Sequence, residues 1–348
     1  MQVVNSERGC RWSMVVRAAW VGMIALSCVS GAQAADAGAA KGFAVLSSSD
    51  VTLKNRVSIA QVNVSPSTCP GSVGCPGSIG GTTVLMGRGN AAAPDTVSGD
   101  VIASANSSQG LNCSDNPPGT TSICLGNDSE VAGMCVTGSG AVSAPSECAR
   151  GADTSGTNSA VTTLLPQAAL DAATFSATLA ALTSTQTPPA IALGARENFT
   201  ISSSGGMNVV SVPSISTGTR STITITGSAS DIFVINVGNA TDAGSVQLGN
   251  GSAVLLAGQV TPDHVIFNLI GNGTTVQLGN DNSFNGTILA PQGQFSSGDG
   301  NTPIPVLING ALWFGGSVAI GNNTNLNFYP FAGTGGGGGG TNPTPPAS

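Results

Sequence analysis

The residues in this chain that could carry acid-base or metal chemistry are few and scattered. His264 is the only histidine in 348 residues, and a hydrolytic triad needs a base whose neutral form is available near pH 7. Asp263 precedes it where a strand-like run begins, which would suit a base oriented by a carboxylate. Neighbours on a strand point to opposite faces, however, and no G-x-S-x-G elbow accompanies them. Glycoside cleavage needs two carboxyl groups facing one bond, yet Asp231, Asp242, Asp263, Asp281 and Asp299 each stand alone in turns or at strand starts. Asp in such places commonly bonds local backbone. GNDNS at 279–283 and SGDGN at 297–301 look like fragments of oxygen-ligand loops, but neither an EF-hand loop nor a calcium nonapeptide is present. No Gly-rich stretch is followed by a Walker A lysine. The expectation is a protein that is not an enzyme, with no catalytic residues, no cofactor and no metal.

Cysteine is the remaining reactive type. Cys10 and Cys28 fall in an N-terminal segment described below, leaving Cys69, Cys75, Cys113, Cys124, Cys135 and Cys148. An even set in an exported chain reads as disulfides, with fifteen possible pairings. All six precede residue 150 in Gly, Pro and Ser-rich sequence, so the local pairs 69–75, 113–124 and 135–148 are the simplest arrangement. Zinc is disfavoured, because no C-x-x-C occurs and His264 is remote.

These sparse groups sit in an unusual background. The chain is 40% hydrophobic and 8% charged with 49 Gly, whereas soluble domains carry roughly 25% charged residues. The apolar content is too high for a disordered chain, whose signature is low hydrophobicity with high net charge. A β-rich fold wetted by Ser, Thr and Asn satisfies both facts. Arg8, Arg11 and Arg17 precede the apolar run AAWVGMIAL and the triplet Ala32-Gln33-Ala34. That order is a secretory signal peptide, expected over residues 1–34, and the run is too short to span a bilayer, which takes about 20 apolar residues. No later segment is apolar enough to cross a membrane. Without residues 1–34 the net charge is near −9, which opposes nucleic acid binding, since that rests on Lys and Arg displacing counterions.

The elements that must position any site show in repeats. SVQLGN at 245–250, TVQLGN at 275–280 and SVAIGN at 317–322 alternate two apolar residues with an outward one, then add Gly-Asn. Each reads as a strand entering a corner, and recurrence of the unit predicts a solenoid. The corner glycines are expected to supply positive φ, and Asn250, Asn280 and Asn322 to stack as an internal amide ladder. STITIT at 221–226 alternates strictly, turning Ile223 and Ile225 inward and Thr222, Thr224 and Thr226 outward. DIFVINVG, HVIFNLI and the run 306–314 read as further strands, with Phe233, Phe267 and Phe284 as large core pieces. The exception is 166–183, where Ala168, Ala172, Phe175, Leu179 and Leu182 recur at helical steps. Pro166 fits the first turn and Pro188-Pro189 forbids continuation.

The predicted fold is all-β: a right-handed β-solenoid (β-helix) over 35–331 with one long α-helix packed alongside. Residues 66–158 read as a disulfide-bearing, loop-rich insertion, either coils with long excursions or a cap. Residues 332–348 read as a flexible Gly/Pro-rich tail.

The block HVIFNLIGNGTTVQLGNDNSFNGTILAPQG, then VLINGALWFGG and NFYPF, resembles the choice-of-anchor A family of secreted bacterial proteins. Gly286-Thr287-Ile288-Leu289-Ala290-Pro291 is the most specific match, and the helix through Phe175–Ala180 sits where that family has one. The likeness covers 160–331 well and 41–110 loosely, and the cysteine-rich stretch departs from it. It implies a surface protein with an adhesive role. A remoter likeness, to the ice-binding β-helix family of bacteria and fungi, rests on the order of first strands, one long helix, then the remaining coils. It implies a flat, weakly charged face.

The expected function is therefore non-enzymatic contact with an extracellular surface, polysaccharide, host protein or ice, by a protein that is secreted or displayed on a bacterial surface. The alternative is an ice-binding protein acting through a flat Thr/Ser/Asn-rich face. The third reading is a polysaccharide-active β-helix enzyme. The candidate contact residues are Thr222, Thr224, Thr226, Gln247 and Gln277.

Overall fold

A computed structural model describes residues 36–61, 77–87, 94–104, 121–301 and 303–333. Their strands form three sheets in which every pair is parallel. Sheet A runs in space from Ala152–Asp153 through Phe43–Ser47 and Leu312–Phe314 to Met207–Val212. Sheet B runs from Ala141–Val142 through Val51–Leu53 and Val318–Ile320 to Ile191–Leu193, and sheet C from Ser129–Val131 through Val57–Gln61 and Thr324–Phe328 to Asn198–Ser202. The chain visits A, B and C in turn, so each circuit is one coil of a right-handed β-solenoid, the hand that parallel crossovers of L-residues adopt.

Coil order in space is not coil order in sequence. The first coil, Phe43–Gln61, lies in mid-stack. From it the chain winds outward to Ala152–Asp153, returns through a helix, and begins again at the far end with Ile191–Leu193. It then winds back until its last coil docks on the first, pairing Val45 with Leu312, Val51 with Val318 and Ile59 with Leu326. The Trp313 indole N–H donates to the Phe43 carbonyl at 2.8 Å across this seam, fully buried.

Alternation builds the interior. Val246, Val276, Phe295, Val318, Val51 and Val84 stack in one buried column of sheet B, each side chain contributing about 1.5 to 3 kcal/mol when fully buried. Phe233, Phe267 and Phe284 are all buried, the last two with ring centroids 4.9 Å apart. The three related hexapeptides all lie in sheet B, the first two on adjacent coils. Between the second and third runs Gly293–Ser297. Its Phe295 takes the Val place and its Ser297 the Leu place, which hid this coil in the longer interval.

Within 66–158 the described residues supply coils of the same three sheets, including Ser78–Gly81, Val84–Met86, Asp95–Val97 and Cys135–Thr137. Cys135 and Cys148 form a disulfide with Cα atoms 5.9 Å apart, and Cys124 is disulfide-bonded as well. Cys69, Cys75 and Cys113, the expected pairs 69–75 and 113–124, the signal segment and the tail beyond 333 lie outside the described residues.

The helix spans Leu165–Ala180 after a π-helical stretch Ala160–Leu164. It buries Ala168, Ala172, Phe175 and Leu179 along sheet A. A fully buried polar latch joins the two: Asn268 Nδ2 donates to Asn236 Oδ1 at 2.8 Å and to the Ser176 carbonyl at 3.1 Å, and Asn236 Nδ2 donates to the Leu179 carbonyl at 2.9 Å. Phe331 is buried against Phe175, with ring centroids 5.9 Å apart. Among the described residues the strands that this helix packs against all belong to sheet A.

Candidate functional site

The Gly-Asn pairs make the corner between sheets B and C. At this corner Arg220, Gly251, Asp281, Asn323 and Arg56 have φ between 51° and 67°, so the left-handed residue comes two places after the glycine position. Glycine supplies positive φ at Gly251 and at other turns such as Gly238, Gly258 and Gly271, but the Gly249, Gly279 and Gly321 of the Gly-Asn pairs do not, and are required instead by close approach between coils. A Cβ on Gly279 would lie 2.6 Å from Asn250 Oδ1, and one on Gly249 2.5 Å from the Gly218 carbonyl oxygen.

Two ladders run along this corner. Outside, the side chain of each coil accepts the amide of the next: Asn280 N to Asn250 Oδ1 at 3.0 Å, Asp299 N to Asn280 Oδ1 at 2.9 Å, Asn322 N to Asp299 Oδ1 at 2.9 Å, and Asn55 N to Asn322 Oδ1 at 3.1 Å. The expected asparagine ladder thus exists, but on the exterior, and Asp299 and Asn55 belong to it. The Asn322 amide, with help from Lys54 at 3.3 Å, holds the Asp299 carboxyl below its usual range. Inside, the next residue but one reaches the corner carbonyl of the preceding coil: Ser221 Oγ donates to Gly194 O, Ser252 Oγ to Gly218 O at 2.7 Å and Asn282 Nδ2 to Gly249 O at 3.0 Å.

Asp95 occupies the same inward column near the other end, in register with Ser129 and one coil from Val57. It is fully buried. Its Oδ1 accepts the Val57 amide at 2.7 Å while its Oδ2 has no partner. Burial pushes its carboxyl up to about 6 against the Val57 and Arg56 amides that favour the charge.

The outer face of sheet B presents Ser216, Gln247, Gln277, Ser296, Ala319 and Thr52 as one column in register, without a charged side chain. Gln247 and Gln277 are exposed and directly stacked. A shallow trough of about 470 Å³ runs between this column and the corner glycines Gly249, Gly279 and Gly298. Thr222, Thr224 and Thr226 are half-buried on sheet C, beyond the corner. The five candidates therefore divide between two adjacent faces. Ser216, Ser296 and Thr52 escaped notice because Ile215-Ser216-Thr217-Gly218, Phe295-Ser296-Ser297-Gly298 and Val51-Thr52-Leu53-Lys54 keep the in-out-in pattern but vary the residues that make a repeat visible.

The groups first suspected of chemistry are engaged locally. His264 Nδ1 lies 2.9 Å from Thr261 Oγ1 and 4.0 Å from Asp263 Oδ1, all within one 3₁₀ turn, Pro262–His264, and its flank. Asp231 accepts the Ser228 and Gly206 amides at 2.7 and 2.8 Å. Asp281 accepts the backbone and side-chain amides of Asn301. Among the described residues no cluster of three or more His, Cys, Asp or Glu could hold a metal ion, and no helix is long and apolar enough to cross a membrane.

Three solved structures similar to the chain are ice-binding proteins. That of the Antarctic ascomycete Antarctomyces psychrotrophicus is 15% identical at TM-score 0.47, covering 85% of this chain and 98% of its own. One from an Arctic yeast is 14% identical at 0.43, covering 90% and 98%. A domain from Shewanella frigidimarina is 15% identical at 0.44, covering 86% and 98%. No curated protein sequence matches. The family model described as "Putative Ice-binding-like adhesive domain" matches residues 36–312, most of the chain and nearly all of the described solenoid, and the chain belongs to that family.

Proposed function

We propose that the protein is exported and acts without catalysis, as an adhesive module that holds to an extracellular surface through the outer face of sheet B. The observation that carries this reading is the uncharged column Ser216–Gln247–Gln277–Ser296–Ala319–Thr52, in register over successive coils. A flat, fixed row sums many weak contacts with little side-chain ordering left to lose on binding, and uncharged groups avoid the large desolvation cost of ions. Export is supported by the N-terminal segment and by the Cys135–Cys148 disulfide, a bond of oxidising compartments. Thr222, Thr224 and Thr226 would extend the contact around the corner.

A second reading, ice binding, is favoured by the family match and by the small hydroxyl and methyl groups of Ser216, Ser296, Thr52 and Ala319 in that same column. One pair of substitutions tests both. Gln277→Lys and Ser296→Lys place charges on the face without touching the core. Adsorption to an immobilised protein matrix should fall about tenfold, a difference of about 1.4 kcal/mol; if ice is the ligand, ice recrystallisation inhibition falls instead. Unchanged behaviour in both assays would remove sheet B as the contact face.

A further inference from the structure

The outer face of sheet C carries a second, differently built row. Asn285, Asn309 and Asn327 are in register on three adjacent coils. Asn309 Nδ2 donates to Asn285 Oδ1 and Asn327 Nδ2 to Asn309 Oδ1, each at 2.8 Å, and Asn285 Nδ2 donates to the Val254 carbonyl at 2.7 Å. An amide has two N–H donors and two lone pairs. The chain of bonds uses one donor of each and one lone pair of Asn285 and Asn309, so every amide is oriented yet keeps hydrogen-bonding capacity. All three side chains are only half-buried.

Apolar steps lie beside this row. Leu255, one coil before Asn285, is 41% exposed, and Leu307 stands in the neighbouring outward column with Ser283, Asn325, Ser58 and Thr96. Thr96 Oγ1 donates to Ser58 Oγ at 2.9 Å, continuing a polar line toward the N-terminal coils. Neither column holds a charge until Glu130 ends it. We infer that this row is a binding site for a neutral polysaccharide lying along the solenoid axis.

The chemistry of each part fits. Sugar hydroxyls both donate and accept, matching amides that present both roles, while the C–H faces of the rings need apolar steps such as Leu255 and Leu307. Coils repeat at about 4.7 to 4.9 Å, close to the advance of one residue in an extended β-linked glycan, so successive sugars meet successive coils. An acidic glycan finds no cation in either column, on a chain whose overall charge is negative. Because bonds within the row fix the amides beforehand, little rotamer entropy remains to be lost on binding.

This site is independent of sheet B, and the test separates them. The purified protein is sedimented with cellulose, a neutral β-linked glucan, and with alginate, an anionic glycan. Retention on cellulose and not on alginate is expected. Asn309→Asp keeps the size but can no longer donate to Asn285, and Leu255→Glu charges an exposed step without touching the row. Each should cut cellulose retention about tenfold or more, at an unfolding temperature near that of the parent, while Gln277→Lys on sheet B leaves it unchanged. If Asn309→Asp does not fold, Leu255→Glu decides. Absence of retention, equal retention on alginate, or retention untouched by Leu255→Glu overturns the inference. Loss with Gln277→Lys alone would assign cellulose to sheet B.

Discussion

Asp95 shows how one side chain can set a solution property. The other inward positions of its column are neutral, among them Ser221, Ser252, Asn282 and Thr324, and most of them bond corner carbonyls. A carboxylate there has the Val57 and Arg56 amides to favour its charge, but its second oxygen has no partner. Among the described residues, Asp50, Lys54 and Arg56 on one flanking coil and Asp128 and Glu130 on the other are the charged residues. With its folded value raised to about 6 from 3.8, the group favours the folded state when protonated. Its stabilising contribution is complete below the unfolded value and is lost as pH rises from about 4 to 6. Asp231 and Asp299, held low by backbone amides, act in the opposite sense and weaken the fold only as pH falls. The loss from Asp95 is about 2 to 3 kcal/mol. Asp95→Asn should flatten the dependence of unfolding free energy on pH between 4 and 7. Its absolute stability also reflects a new unpaired N–H, so the slope is the readout; parallel slopes for parent and variant would refute the assignment.

Elements here are held to one another by few but fully buried polar bonds. Without the Asn268 amide, Asn236 Oδ1 and the Ser176 carbonyl lose a donor and the Ser176 hydroxyl its acceptor, all out of water. Asn268→Ala should therefore cost about 2 to 4 kcal/mol, seen as a lower denaturant midpoint, with amide exchange accelerated in Leu165–Ala180 ahead of sheet B. At the other end, reducing Cys135–Cys148 opens a short loop of 13 residues. Its removal as Cys135→Ser with Cys148→Ser should cost about 3 kcal/mol, read by thermal unfolding under non-reducing conditions. The helix itself was legible from periodicity because it has a single apolar stripe. Its latch was not, since Asn236 and Asn268 sit inside runs that read as uniformly apolar strands and their partner is a helix backbone far away in sequence.

At the scale of the whole molecule the seam matters most. The first and last coils are neighbours through three parallel strand pairs, so neither arm of the solenoid has a finished surface at its inner end. The two arms should unfold together. Trp313→Phe leaves the buried Phe43 carbonyl without its donor and should lower stability by about 1 to 3 kcal/mol. Hydrogen exchange is then expected to rise jointly in Phe43–Ser47 and Leu312–Phe314; a rise confined to one of them would contradict the coupling.

Strand periodicity, the amphipathic helix and the poverty of acid-base groups are local properties, and the sequence by itself determined them: inward Val, Ile and Leu, outward Gln, Ser and Thr, and corners marked by Gly-Asn. It could not determine which coils touch. Parallel pairing joins residues one full circuit apart, or from opposite arms of the chain, and no short-range pattern records that separation. Ser297 in place of Leu concealed a coil, Lys54 in place of Gly concealed a corner, and the insertion of the first coil against the last left no mark at all. Only the tertiary structure decided that Gln247 and Gln277 share a face with Ser296 and Thr52, that Thr222, Thr224 and Thr226 lie around the corner, and that three separated asparagines form one row, because contact between coils is fixed by register across the stack.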